Sequence, residues 1–154
     1  RSLRRSKTMR SLLQETLERI AADQLALIAE TQEGFSSATF QLVNKLVAAY
    51  GEDGLANRVA ADLPSDTTWR QLADLLGIMI WSTSDNGSAI CRSTDAWLLE
   101  GSDERLVLAA LHLDTYPFRE RKEMEQVLTS IAEAFPRAAD RCRELIASRR
   151  REAE

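Results

Sequence analysis

Histidine is almost missing from this chain: His112 is the only one in 154 residues. That excludes a zinc site built on paired histidines and leaves any nucleophile–histidine–acid triad dependent on one imidazole. Cysteine is nearly as scarce. Cys91 and Cys142 stand far apart on apolar helix faces, so two buried free thiols are expected rather than a disulfide or a metal site. The glycines are few, and Gly51, Gly54, Gly77 and Gly87 match none of the spacings that cradle a phosphate. No apolar run approaches the roughly 18–20 residues that a bilayer-spanning helix needs. No charged-then-apolar leader is visible. The expectation is therefore a cytoplasmic protein with no membrane association, no metal and no cofactor.

What the chain does have is charge and helical patterning. Hydrophobic residues make up 44% and charged residues 29%, the balance of one globular domain with a core. The net charge of −4 is unevenly spread. Residues 1–10 carry Arg1, Arg4, Arg5, Lys7 and Arg10 and no acid, for +5, and residues 137–154 hold six arginines against four acids, for +2. The body, 11–136, has nine basic and twenty acidic side chains, for −11. Such a body repels nucleic acid and attracts basic partners. Residues 1–8 read as a disordered basic tail or an upstream linker ahead of Met9, with a single all-α domain over 9–150.

Apolar residues recur at helical spacing almost everywhere, and no stretch alternates with period two long enough to suggest a sheet. Met9, Leu13, Leu17, Ile20, Leu27 and Ile28 predict a long helix over roughly 8–32, ended by Gly34. Phe40, Val43, Leu46, Val47 and Tyr50 make the next, capped by Ser36 or Ser37 and closed by Gly51. Leu55, Val59 and Leu63 form a short helix stopped before Pro64. Leu72, Leu75, Leu76, Met79 and Ile80 form a fourth, behind the capping residues 65–68, and Asp85-Asn86-Gly87 is a turn. Ile90, Thr94, Trp97 and Leu98 make a fifth face, closed by Gly101. Residues 106–113, LVLAALHL, are apolar nearly all round and predict the most buried helix. Met124, Val127, Leu128, Ile131 and Phe135, then Ala138, Cys142, Leu145 and Ile146, complete about eight antiparallel helices.

The segment WRQLADLLGIMIW at 69–81 shares its pattern with the first half of a DNA-binding helix-turn-helix. In that motif the glycine sits in a turn and a recognition helix comes directly after it. Here the corresponding residues, 79–87, contain no base and open with Met79, Ile80 and Trp81. The apolar period also runs straight through Gly77, which predicts one helix, the glycine admitting a close backbone neighbour. A nucleic-acid-linked regulator using 67–87 is thus an alternative reading. So is a carboxylate-based enzyme, for which Glu30/Glu33 and Glu100/Asp103 are the candidate pairs. His112 and Asp114 do not share a helix face. Trp97 is expected in the core, with Trp69 and Trp81 at helix ends and open to exposure.

The stretch SDERLVLAALHLDTYPF, followed by MEQVLTSIAEAFP and AADRCRELI over 102–146, resembles HEAT-type helical repeats, the α-solenoid style of short helices stacked through small residues. That resemblance implies a protein that offers a surface to partners. In an up-and-down array alternate connections share an edge, which would bring together the connections near 32–36, 63–67, 100–103 and 136 and gather Glu30, Glu33, Asp62, Asp66, Glu100, Asp103, Glu104 and Glu133, with Trp69 as an aromatic anchor. The expectation is a non-catalytic acidic protein that binds a basic protein partner, in concrete form an immunity protein that neutralises a nuclease toxin. Nucleic acid is not expected as a ligand, and a homodimer is left open.

Overall fold

The computed structural model describes the backbone of residues 2–153 and the side chains from Thr8 to Ala153. The first helix begins at Ser2 rather than near residue 8, and the side chains of residues 1–7, with the basic character expected of them, lie outside that description. Among the described residues the chain is all-helical, with no strand. The helices are α1 (Ser2–Ile28), α2 (Ser37–Tyr50), α3 (Leu55–Ala61), α4 (Trp69–Ile80), α5 (Ser88–Glu100), α6 (Glu104–Leu111), α7 (Arg121–Ala134) and α8 (Ala139–Ala153). A 3-10 turn, Pro136–Ala138, stands between the last two. None is long and apolar enough to cross a membrane.

Side-chain caps set most of the boundaries. Ser36 accepts the Thr39 N–H at the start of α2, and Asp103 accepts the Leu106 N–H at the start of α6. Thr68 and Gln71 form a reciprocal capping box at α4, and Asp85 accepts the N–H groups of Gly87 and Ala89 at α5. Each satisfies an amide that the first turn of a helix leaves without an intrahelical partner. The end of α1 differs from the sequence expectation. Glu30, not Gly34, turns the chain, at φ 58°, and the Thr31 N–H reaches back to the Ala26 carbonyl. This is the closure usually built on a glycine. Here the hydrogen bonds from Gln32 and Ser36 to Asp23 hold it in place.

The chain forms two compact units, Arg1–Ile90 and Cys91–Glu154. In the first, α1, α2 and α4 pack on one another, and α3 packs on α2. Leu13 and Ile20 of α1, Val43 and Leu46 of α2, and Leu72, Leu75, Leu76 and Met79 of α4 are fully buried. Each such side chain contributes roughly 1.5–3 kcal/mol relative to exposure. The turn from α1 to α2 is organised by Asp23, only 2% exposed. Its carboxylate accepts the Gln32 amide, the Ser36 N–H, and the hydroxyls of Ser36 and Thr39. Burial alone would raise its pKa, but these donors together outweigh it and hold the carboxyl below its ordinary range.

Gly77 departs from expectation as well. Helix α4 runs through it unbroken, yet a Cβ there would meet nothing within 4 Å, so no neighbouring backbone needs the space. Gly87 is the opposite case. At φ 81° it is left-handed, and a Cβ would lie 2.6 Å from Ile80 Cγ2.

In the second unit α7 and α8 pack together, joined through Phe135 and the 3-10 turn, which α6 also touches. Val107–Leu111 are all buried, as the all-round apolar pattern requires. Residues 112–120 have no regular helix.

Gly77→Ala should raise stability by about 0.5–1 kcal/mol, since alanine loses less backbone entropy in a helix and finds open space. Gly87→Ala should lower it by at least about 2 kcal/mol through strain and overlap. Urea melts of the two variants check both signs. Asp23→Asn should lower stability near pH 7 by about 2 kcal/mol, because an amide cannot accept all four donors. The folded carboxyl titrates below its unfolded value, so this contribution is complete above about pH 4 and fades as pH falls through the folded value. The gap between wild type and Asp23→Asn should therefore narrow in acid, which denaturation curves across pH 2–7 would show.

Candidate interaction site

Within the first unit, the 32–36 turn and Asp62 do not share one edge as the up-and-down pattern requires. In the first unit Ser36 lies against Arg19 and Asp23 of α1, whereas Asp62 lies against Arg10 and Tyr50. Positions 10 and 23 of one helix are about 20 Å apart. The 32–36 turn and Asp62 thus occupy opposite ends of the α1–α2 pair. The reason is α3: seven residues cannot carry the chain back along the fourteen of α2. Asp62 is also engaged, accepting the Tyr50 hydroxyl at 2.8 Å and facing Arg10 at 3.6 Å. Burial, then the bond to Asp62, pushes the Tyr50 phenol well above its ordinary pKa. Asp66 is exposed. Trp69 is half-buried beneath the Arg70 guanidinium, 4.9 Å from its ring. The tryptophan that projects is Trp81, 83% exposed at the end of α4.

The other four predicted residues lie in the second unit, which also holds a surface groove of about 360 Å3 between the C-terminal ends of α5 and α7. Leu98, Leu99, Val127, Ile131, Ala134 and Phe135 supply its apolar lining, and Leu99 remains 59% exposed. Glu100 lines the groove, and its carboxylate accepts the Ser102 hydroxyl. Glu133 is exposed on α7, three residues beyond Ser130 and seven beyond Gln126, both lining residues, and therefore on the same helix face. The remaining two have local duties. Asp103 caps α6, and Glu104 faces Arg137 at 3.1 Å. The site is thus an open apolar trough with Glu100 inside it and Glu133 on its rim. Sequence reasoning assigned none of the apolar lining to it, Leu99 and Phe135 included. Their signal was present: Leu99 sits off the buried stripe of α5, and Phe135 stands at a helix end.

A second feature, also unforeseen, is the binding of residues 116–119 by Arg149 of α8. Its guanidinium donates to the carbonyls of Pro117 at 3.0 Å, Phe118 at 2.9 Å and Arg119 at 2.7 Å, and stands 5.5 Å from the Tyr116 ring. Phe118 is buried at φ 64°, a left-handed conformation that costs a bulky residue about 1–2 kcal/mol. Its N–H donates to Asp95 at 3.2 Å. Burial, then the nearby Glu123, raises the Asp95 pKa against the lowering effect of that bond.

His112 ends α6, its Nδ1–H donating to the Leu108 carbonyl at 2.8 Å. Cys142 is buried, and burial pushes its thiol up to about 11, whereas Cys91 is only half-buried, against expectation, and lines a small cavity. Among the described residues no three His, Cys, Asp or Glu side chains are placed to hold a metal ion. Compared with known proteins, the chain matches no family, no curated protein and no solved structure.

Arg149→Met should lower stability by about 2–4 kcal/mol, since it keeps the apolar stem but strips three carbonyls of their charged donor. Arg149→Lys should recover only part, because an ammonium does not reproduce the planar fork. Thermal melts, with hydrogen-exchange protection of the Phe118 amide as the local readout, check both.

Proposed function

We propose that this chain is a protein-interaction module that binds a basic protein partner through the α5–α7 groove. The observation that carries the reading is the combination at one place of exposed apolar surface and carboxylates not paired with a cation. Interfaces place their apolar anchors in such troughs and use rim charges for orientation and on-rate. Glu100 and Glu133 would meet lysine or arginine side chains flanking an apolar residue seated against Leu99 and Phe135. An apolar surface with an acidic rim favours a cationic protein over nucleic acid, whose phosphates the acids would repel.

The finer form of this reading is an immunity protein. A nuclease toxin carries cationic surface to hold nucleic acid, and an acidic trough complements such a surface. The role requires no catalytic group, only a tight and specific fit. HEAT-like stacking of short helices is likewise proposed as the architectural style through which the surface is offered.

The test is capture from the source cell at moderate salt by the tagged chain, with identification of the captured protein and measurement of its affinity. A basic protein should be recovered in stoichiometric amount. Glu100→Lys combined with Glu133→Lys should weaken it about tenfold or more, two reversed charges, one in the trough and one on its rim, at roughly 0.5–1 kcal/mol each or greater. Asp66→Lys, in the first unit, should leave the affinity within about twofold. Equal affinity for the groove variant and the wild type would overturn the groove as the binding surface. Inhibition of nucleic-acid cleavage by the captured protein tests the immunity form.

A further inference from the structure

A smaller cavity of about 240 Å3 lies toward the other half of α5, bounded by that helix, the end of α6 and residues 113–119. It is below the range of about 300–1,000 Å3 typical of drug-sized sites, so it suits a metabolite of few atoms. Its walls are chemically divided. Ala110, Leu113 and Pro117 are apolar, while Asp95 and Arg119 are the two charged residues of the lining. Both residues line the same cavity, and no ion pair within 4.0 Å joins them. Asp95 takes a single N–H, from Phe118, which leaves its carboxylate with further capacity to accept.

We propose that this cavity binds a free α-amino acid with an apolar side chain, its ammonium on Asp95, its carboxylate on Arg119 and its side chain against Leu113 and Pro117. A dipolar ligand satisfies both charges at once, which neither an amine nor an acid alone can do. Two further observations point the same way. Burial, then the nearby Glu123, raises the pKa of Asp95, and an ammonium seated beside the carboxylate would offset both. Phe118, on the cavity wall, is held in a strained left-handed conformation by Asp95 on its N–H and Arg149 on its carbonyl. Strain of this kind gathers at ligand clamps, where a rigid wall is worth its cost in stability. The cavity is lined by residues within 91–95 and 110–119 and the groove by residues within 98–101 and 126–135, so the two share no lining residue.

The test is a two-dimensional amide NMR titration of the full chain with alanine, valine, leucine and phenylalanine. Isopentylamine and 4-methylpentanoate serve as half-ligands of leucine. At least one amino acid should give saturable shifts confined to residues near 91–95 and 110–119, with each half-ligand at least about tenfold weaker. Asp95→Asn retains an oxygen for the Phe118 N–H and should lose about tenfold or more in affinity while keeping the spectrum of a folded protein. Arg119→Gln, at an exposed position, should do the same and decides the matter if Asp95→Asn fails to fold. No saturable shift with any of the four amino acids would overturn the proposal. So would an amine that binds as tightly as leucine, or unchanged affinity in a folded variant.

Discussion

Wherever a chain reverses without regular hydrogen bonding, its buried amides and carbonyls need partners, and in this protein charged side chains from distant positions supply them. Asp23 serves the first unit. It sits 13 residues before Ser36, yet it accepts that residue's amide and hydroxyl and the Thr39 hydroxyl. The direction in which α2 leaves α1 depends on that knot, and with it the pairing of the two helices on which α4 rests. Arg149 serves the second unit, taking three successive carbonyls of a segment too irregular to bond itself. The two are mirror cases: a buried carboxylate held by neutral donors, and a guanidinium held by neutral acceptors. In each, charge acts through hydrogen bonds to the turn rather than through an ion pair, and bonds with one charged member are among the strongest that side chains make.

Much of this fold is readable from residue spacing, because the rule that produces it is local. Leu72, Leu75, Leu76 and Met79 recur at helical steps, and all four are buried on one face of α4. Ser36, Thr68 and Asp103 are capping residues in front of apolar stripes, and each caps as its chemistry demands. Spacing does not contain the identity of long-range partners. Asp23 reads as one more polar residue on a long helix, and Arg149 as one of a run of arginines near the C-terminus. Neither position carries a local sign that it will fold onto a turn. The end of α1 illustrates the point: Gly34 is the residue that local chemistry favours, but the contacts at Asp23 and the back-bond to Ala26 place the reversal at Glu30.

The candidate site was half visible for a related reason. Glu100, Asp103, Glu104 and Glu133 are identified by charge alone, and charge does not say which carboxylates are occupied. Asp103 and Glu104 serve the start of α6 and Arg137, so their contribution to a partner is reduced. The arrangement of acids into one edge rested on helices of equal length. A seven-residue α3 removes that equality and puts Asp62 and the 32–36 turn at different ends of their unit.

Sorting charges by their engagement, rather than counting them, therefore changes what the acidity of this protein means. The body carries a large negative excess, but a carboxylate that caps a helix or faces an arginine is already screened by that partner and steers little. Those that remain beside apolar surface act differently, because a side chain seated there excludes water and strengthens each nearby charge interaction. Glu100 stands in such a place, beside the exposed Leu99. Asp95 stands in another, half-enclosed, where burial and then Glu123 raise its pKa. The first opens onto a trough wide enough for a protein side chain, and the second onto a cavity that admits only a small molecule. Both lie in the second unit and flank α5 at its two halves, so on the two proposed readings recognition would concentrate on that helix rather than on the acidic excess of the whole chain.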